Sequence, residues 1–349
     1  MQYRREKKNT AVFNAPSVWQ QSAETQTLAR VLFANNKWEY DVKYKSNAVE
    51  NFPVEKYFSE LLNEDKSLSA GIAAIKTLLA VLKKTKFDTV QELHSTIQTT
   101  VKTMRTSDHP ITAIVSASEL FSRFITLAAF DDKTADECKA LMLHRGEIFL
   151  KKLLEARNII AKQCAQFVTD GCRVLTHARS RAVLETLILA AKSNKRFHVY
   201  VTRSSPDNTG EQMCNELKTA GIECTLILDA AIGYIMESID IVLVGAEGVV
   251  ESGGIINRVG TYTMALCARE MKKPFYVLAE SLKFSRLYPL NQRDLPNDYK
   301  FSKQSLTENL TQAHPLVDYT SPAYITLLFT DIGILTPSAV SDELIKLYL

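Results

Sequence analysis

The amino-acid sequence predicts an α/β protein in which an N-terminal helical bundle precedes a doubly wound, mostly parallel sheet. Apolar residues recur at helical spacing up to about residue 168. After residue 169, short β-rich segments alternate with helical ones, and the β-rich segments are almost continuously apolar, as in strands covered on both faces. We therefore divide the chain into a poorly ordered extension (1–55), a helical domain (56–168) and an α/β domain (169–349).

Composition limits the function classes that the chain can belong to. The 349 residues include 42 Lys plus Arg and 39 Asp plus Glu, which is too balanced for a protein that wraps nucleic acid. Apolar residues make up 46%, which excludes disorder throughout the chain. No apolar run approaches the roughly 18 residues of a membrane span, and no apolar segment typical of a secretory signal follows the charged N-terminus. We expect a cytoplasmic protein with no direct nucleic-acid or membrane partner.

The first 55 residues mix Asn, Lys, Gln and Ser with isolated aromatic residues. This composition predicts a poorly ordered extension. A mitochondrial presequence is the alternative, because Arg4 and Arg5 are accompanied by few acidic residues.

The helical domain is predicted to contain about four to six helices. Leu68, Ile72, Ile75, Leu78 and Leu82 lie three or four residues apart, which is the spacing of one buried helix face. Thr89 and Glu92 form a plausible capping box at the start of the next helix. Further helices are predicted over 116–129 and, as one long helix or two joined ones, over 132–167.

The α/β domain is predicted from five β-rich segments and the helical segments between them. The predicted strands cover 173–176, 197–202, 224–228, 241–244 and 274–278. The predicted helices cover 181–191, 210–220, 230–237 and 262–271. A last strand over 325–329 and a closing helix from Ser341 complete the domain.

Polar residues follow the predicted strands at the edge where doubly wound sheets bind ligands. They are Thr176, His177, Arg179, Ser180, Arg181, Thr202, Arg203, Asp229 and Glu247. The arginines precede helices, whose free N–H groups and dipole favour anions, so a phosphorylated ligand is one interpretation. The other is that they are ordinary solvated loop residues or interface contacts.

These residues do not make a complete catalytic set. The sequence contains no G-x-G-x-x-G, no G-x-x-x-x-G-K-[ST] and no G-x-S-x-G motif. Asp229 and Glu247 either face each other as an acid–base pair or cap the following helices, and His177 is expected to be structural. The six cysteines lack metal-ligand and disulfide spacing, so we predict reduced thiols and no metal. We expect no cofactor beyond a possible bound sugar phosphate or nucleotide monophosphate.

Four segments at the strand ends resemble the shared motifs of one superfamily. It joins the regulatory subunits of translation initiation factor 2B to the methylthioribose-1-phosphate and ribose-1,5-bisphosphate isomerases, which have a Rossmann-like α/β domain. The segments are Val174-Leu-Thr-His-Ala-Arg-Ser-Arg181, Val242-Leu-Val-Gly-Ala-Glu-Gly248, Gly253-Gly-Ile-Ile-Asn-Arg-Val-Gly-Thr261 and Asp318-Tyr-Thr-Ser-Pro322. The resemblance covers residue 56 to the end, and the string 335–349 is similar to the alpha-type subunits.

Residue by residue, the resemblance favours a regulatory protein over an isomerase. The isomerases have Leu-Thr-His-Cys-Asn where this chain has Ala178 and Arg179, so the acid–base thiol is replaced by a methyl group. Their catalytic Asp corresponds to Glu247, and their Arg-Gly-Ala phosphate loop has no counterpart near 67–71. Asn257 matches their pocket Asn, and Arg258 replaces their Lys. The alternatives are an active isomerase that uses Glu247 and a stand-alone sensor of a phosphorylated metabolite.

The resemblance implies a non-catalytic subunit of the guanine-nucleotide exchange factor for initiation factor 2. Such a subunit pairs with itself through the Rossmann-like domain and assembles with the beta, gamma, delta and epsilon subunits. It also mediates inhibition by initiation factor 2 phosphorylated on its alpha subunit. Candidate phosphoserine contacts on the helical half are Lys83, Lys84, Lys86, Lys102 and Arg105, although exposed lysines usually form only a solvated face. We expect the tail 336–349 to lie at the homodimer interface.

Overall fold

The computed structural model describes residues 52–65, 68–87, 89–107, 111–126, 135–301 and 314–348. All of them belong to one compact unit, residues 41–348. The predicted extension or presequence lies outside the described residues apart from its last four positions.

The N-terminal half of the described chain contains five helices. They are α1 (Val54–Glu64), α2 (Ala70–Lys84), α3 (Val90–Met104), α4 (Ile111–Thr126) and α5 (Ala135–Cys164). The hydroxyl of Ser69 accepts from the Ile72 amide and starts α2, and Thr89 accepts from the Glu92 amide and starts α3. The run predicted over 132–167 is a single 30-residue helix in its described part.

Helix α2 forms the centre of the helical core. The apolar residues whose spacing predicted it, among them Ile75 and Leu78, are fully buried, and it packs against α4 and α5. Gly146 of α5 permits this contact, because a Cβ atom there would lie 2.5 Å from a methyl of Leu79. Leu282, from the sheet half, joins the same core, so the two halves share apolar contacts.

The described part of the C-terminal half is built on a seven-stranded sheet. Its strands are β1 (Arg173–His177), β2 (His198–Thr202), β3 (Cys224–Ile227), β4 (Ile241–Gly245), β7 (Phe275–Leu278), β9 (Leu327–Thr330) and β10 (Gly333–Leu335). Their order is β10-β9-β7-β4-β1-β2-β3, and every pair is parallel except β9 with β10. The helices are α6 (Arg181–Lys192), α7 (Thr209–Thr219), α8 (Ile232–Met236), α9 (Thr261–Glu270), α10 (Asn297–Lys300) and α11 (Pro337–Tyr348). This order confirms the predicted α/β class, since the chain leaves β1 for β2 and β3 and then returns to β4.

A second, three-stranded antiparallel sheet was not predicted. It contains β5 (Gly248–Val249), β6 (Ile255–Arg258) and β8 (Val317–Thr320). The closing helix α11 begins at Pro337 rather than at the predicted Ser341, because proline is well suited to the first position of a helix. No described helix combines the length and the apolar character needed to cross a bilayer.

Candidate functional site

The carboxyl ends of β1 and β4 lie side by side where the strand order reverses. The register pairs Val174 with Ile241 and Thr176 with Leu243. The following loops, 178–180 and 246–247, therefore meet at one edge, which is the usual ligand-binding edge of a doubly wound sheet. The small sheet brings β6 to the same place, because Ile256 pairs with Gly248, just after the β4 loop.

His177 is buried at the centre of this edge. Its Nε2 lies 2.9 Å from the carbonyl of Val259, so Nε2 carries a proton and donates it. Its Nδ1 accepts from the hydroxyl of Thr202 at 2.6 Å. Burial lowers the pKa of the imidazole and favours the neutral form. Because both ring nitrogens have partners within the chain, His177 joins β1, β2 and the segment before α9.

Ala178 is buried, with 4% of its surface exposed, and adopts a left-handed backbone with φ of 57°. Non-glycine residues rarely adopt this conformation, and it recurs at functional sites. Ser180, two residues on, accepts from the Val183 amide and caps α6. Its side chain fits against Gly245, where a Cβ atom would lie 2.4 Å from the Ser180 hydroxyl.

Arg258, at the end of β6, lies between two carboxylates. Its Nε is 3.0 Å from Oε1 of Glu247, and its Nη1 is 2.9 Å from Oδ2 of Asp207. All three side chains are partly buried, so solvent screens these pairs only in part. The structure thus brings together two separately predicted site residues, Glu247 and Arg258, and adds Asp207, which sequence reasoning missed.

Asn257 and Asp318 lie side by side behind Arg258. The register of β6 and β8 pairs them, and the amide of Asn257 donates to the Thr261 hydroxyl at 3.0 Å. Oδ2 of Asp318 accepts from the amides of Gly260 and Tyr262 and so caps α9. Its Oδ1 is buried without a hydrogen-bond partner among the described residues. Burial raises the pKa of this carboxyl to about 7, although the two amides oppose the shift.

The other three predicted arginines have partners within the chain. Arg179 forms a two-pronged pair with Glu216 of α7, at 2.9 Å to each carboxylate oxygen. Arg203 pairs with Glu211 at 2.8 Å. Arg181 donates to the carbonyl of Leu68 in the helical half. Arg181 and Arg258 therefore have different partners within the chain.

Asp229 does not cap the helix that follows it. Its two oxygens accept from the amides of Ser204 and Ser205, each at 2.9 Å. The carboxylate therefore holds the loop after β2, in which Ser204 has a left-handed backbone. Because this loop carries Asp207, Asp229 positions one of the two carboxylates that surround Arg258.

A second charged cluster lies where the helical half meets the end of β7. Glu280 is 2% exposed and pairs with Arg157 of α5 at 2.9 Å and with Lys283 at 2.6 Å. Burial alone would raise the pKa of Glu280, but the two cations hold it at about 2. The acidic residue after β7 is visible in the sequence, whereas its partner on α5, 123 positions away, is not.

The cations proposed for phosphoserine binding differ in their contacts. Lys83 pairs with Glu147 at 2.8 Å, Lys84 lies over the Phe52 ring, and Arg105 pairs with Asp298 at 3.6 Å. Lys86 and Lys102 are exposed. Among the described residues, no group of three His, Cys, Asp or Glu side chains is arranged to hold a metal ion.

Comparison with known proteins decides the family. The model of the Initiation factor 2 subunit family matches residues 63–337, which include both halves and the whole strand-end site. The chain belongs to that family. This confirms the relationship expected from the four strand-end motifs.

Two relatives show the range of the family. The translation initiation factor eIF2B subunit alpha of Caenorhabditis elegans is 41% identical over 296 residues, covering 84% of this chain and 97% of the relative. The ribose 1,5-bisphosphate isomerase of Archaeoglobus fulgidus is 29% identical over 273 residues, covering 76% of this chain and 83% of the enzyme. The relatives of this chain thus include both a translation factor subunit and an enzyme.

A solved structure has the same fold. The Pyrococcus horikoshii translation initiation factor eIF-2B aligns with a TM-score of 0.63 at 27% identity, covering 81% of this chain and 97% of that one. The combination of N-terminal helices and a doubly wound sheet is therefore common to the two proteins.

Proposed function

We propose that this chain is a regulatory, non-catalytic alpha-type subunit of the initiation factor 2B exchange complex, acting in the cytoplasm. The observation that carries the proposal is the 41% identity to an alpha subunit across 97% of that relative. The proposed role has three parts: self-association that joins the assembly, contact with the beta, gamma, delta and epsilon subunits, and inhibition by phosphorylated initiation factor 2.

The strand-end site supports a protein without isomerase activity. Proton transfer to a sugar needs a group with an accessible lone pair, and Ala178 offers a buried methyl group. Both nitrogens of His177 are engaged, and Glu247 is paired with Arg258. An active isomerase is the second candidate, because Glu247 retains an acid at this edge of the sheet and one relative is an isomerase.

The same site supports binding of a phosphorylated sugar without turnover. Arg258 contacts Glu247 of the β4 loop, and its guanidinium suits a phosphate or carboxylate. The carboxylates of Asp207 and Glu247 neutralise it. A ligand phosphate would therefore exchange for one of these carboxylates rather than enter an empty cationic pocket. A stand-alone sensor would use the same chemistry, but the similarity to an alpha subunit favours the complex.

An exposed apolar surface on the α/β half supports self-association. We define the dimer patch as Leu228, Tyr234, Leu266 and Met271, all of which are exposed. Tyr234 lies on α8, and α8 packs against α9, which carries Leu266. Contiguous exposed apolar surface commonly marks an interface between proteins. On the helical half, the exposed Lys86 and Lys102 are the predicted cations most available to a phosphoserine.

Reconstitution with the four other subunits tests the proposal. Nucleotide exchange on initiation factor 2 should proceed with or without this chain, whereas inhibition by the phosphorylated factor should require it. The purified chain should also convert no sugar phosphate. Equal inhibition without the chain would refute the regulatory role. Turnover that is lost in Glu247→Gln would instead establish the isomerase.

A further inference from the structure

Two cysteine side chains touch at the edge of the main sheet. Cys214 lies on α7 and Cys224 begins β3, and their sulfur atoms are 2.9 Å apart. The two residues are ten positions apart and are connected through the turn at Gly221. The contact is therefore local, and it is part of the packing of α7 against β3.

Solvent can reach this pair through Cys224. Its side chain is partly exposed, whereas Cys214 beneath it is buried. Cys224 lines an open surface cleft together with His198, Lys218, Gly221, Ile222 and Glu223. A small reagent can therefore react with Cys224 first. The thiol of Cys214 already contacts the Cys224 sulfur at that point.

We propose that Cys214 and Cys224 form an oxidisable dithiol that a hydroperoxide converts into a disulfide between α7 and β3. The Cys224 thiolate attacks one oxygen of the peroxide, the O–O bond breaks, and Cys224 becomes a sulfenic acid as water or an alcohol leaves. The Cys214 sulfur then attacks the sulfenic sulfur, the S–S bond forms, and water leaves. The two thiols together lose two electrons, and the peroxide gains them.

The surroundings of the pair predict slow oxidation. Burial raises the pKa of Cys224 to about 12, with the neighbouring Cys214 adding to the shift and Lys218 of α7 opposing it. Since the thiolate is the nucleophile, little of it exists at neutral pH. The dithiol therefore responds to sustained rather than brief exposure to peroxide.

The consequence of the disulfide follows from the position of β3. Among the strands that the structure describes, β3 is the last in the sheet and pairs with β2 alone. A covalent bond to α7 closes a loop of about ten residues and restrains the unfolded chain. Oxidation should therefore raise the unfolding temperature by a few degrees, reversibly.

The test is peroxide treatment of the full chain followed by alkylation of remaining thiols and peptide mass spectrometry. We expect one peptide pair joined through Cys214 and Cys224, a mass loss of about 2 Da, and reversal of the thermal shift by dithiothreitol. Cys214→Ser and Cys224→Ser should each abolish the link, and Cys267→Ser, at a partly exposed lone thiol, should leave it intact.

If a serine variant does not fold, thiol reactivity in the wild-type chain still tests the proposal. Both thiols should lose their reactivity towards iodoacetamide together and regain it together on reduction. A Cys224 sulfinic or sulfonic acid with Cys214 still free, or two thiols that stay reduced after prolonged treatment, would overturn the proposal.

Discussion

The guanidinium of Arg258 donates to Asp207 across 2.9 Å, which joins the end of β6 to the loop after β2. The pair is one reason why the strand-end site is electrically balanced rather than cationic. An anionic ligand at Arg258 must compete with a carboxylate that is already in place. The affinity for that ligand then depends on Asp207 as well as on the arginine.

Asp207→Asn should strengthen the binding of ribose 5-phosphate about three- to tenfold, because the variant removes a competing negative charge and leaves Arg258 in place. Calorimetric titration would measure the change. The matched control is Asp170→Asn, whose partner Arg196 lies 3.9 Å away at the surface before β1, and it should leave the affinity unchanged. Unchanged or weaker binding in Asp207→Asn would show that Asp207 does not compete with the ligand.

Much of the fold was predictable, because burial repeats at a regular spacing along the chain. The buried face of α2 and the apolar strands β1 and β4 show this most directly: Ile75, Leu78, Leu175 and Val242 are all fully buried. The start of α4 at Ile111, five residues before the predicted helix, was missed. Four of the five residues before the predicted start, Ile111, Thr112, Ile114 and Val115, are β-branched, and such side chains favour strands over helices.

The ion pairs of the candidate site were not predictable in the same way. The sequence shows which arginines follow strands. It does not show that Arg179 pairs with Glu216 or that Arg181 donates to the carbonyl of Leu68. Those choices depend on where α7 and α2 pack, which is a tertiary property. The small sheet was unpredictable for the same reason, because its pairing is not local. Strand β6 pairs with β8 across some sixty residues, as in Asn257 with Asp318.

Gly260→Ala should destabilise the protein by about 2–3 kcal/mol. Gly260 has φ of 106°, and a Cβ atom there would lie 2.9 Å from Cε1 of His177. Gly171→Ala is the matched control, since its φ of 77° brings the backbone strain without a contact within 4 Å. We expect the control to cost about 1 kcal/mol in urea unfolding. Equal costs for the two variants would show that the His177 contact adds nothing.

The buried carboxyl of Asp318 should make stability fall as the pH rises. Its pKa is about 7 in the folded protein against 3.8 for an ordinary aspartate, so the folded state binds more protons between these values. Its contribution is therefore fully present below pH 4 and is lost as the pH rises through 7, by a few kcal/mol at most. The free energy of unfolding, measured from pH 4 to 8, should show this slope in the difference between wild type and Asp318→Asn. Asp240→Asn, at an exposed carboxyl, is the control and should show no such slope. If the difference in free energy of unfolding between wild type and Asp318→Asn does not change with pH, the prediction is wrong.

Glu280→Gln should be strongly destabilising, because it removes a buried carboxylate that pairs with two partly buried cations, Arg157 and Lys283. Removing one partner of a buried ion pair costs about 3–5 kcal/mol. The pKa of about 2 implies that the stabilisation from Glu280 is present above pH 4.5 and is lost as the pH falls towards 2. Chemical unfolding at pH 7 gives the size of the effect.

Glu343→Gln, which removes a more exposed pair with Lys346, should cost about 0.5 kcal/mol or less. A similar cost at the two positions would show that burial of the cluster has little energetic weight.

The proposed homodimer interface can be separated from the packing of the C-terminal tail. Truncation within 336–349 is a poor test, since Val340 and Leu344 are buried in the chain's own core and their loss would unfold it. Tyr234 is 89% exposed and Ile345 is 47% exposed, so a glutamate at either position is compatible with folding. Both α9 and α11 pack against Pro322–Tyr324, which places the tail beside the dimer patch.

Tyr234→Glu and Ile345→Glu should each weaken the dimer about 10- to 100-fold, because each buries a charge in an apolar interface. Light scattering at micromolar concentration should then give a mass near 39.2 kDa instead of twice that value. Ile148→Glu, at a comparably exposed apolar position on α5 in the helical half, should leave the dimer intact. If Tyr234→Glu stays dimeric while Ile345→Glu dissociates, the interface lies on the tail and not on the dimer patch. If both variants remain dimeric, the interface lies elsewhere on the chain.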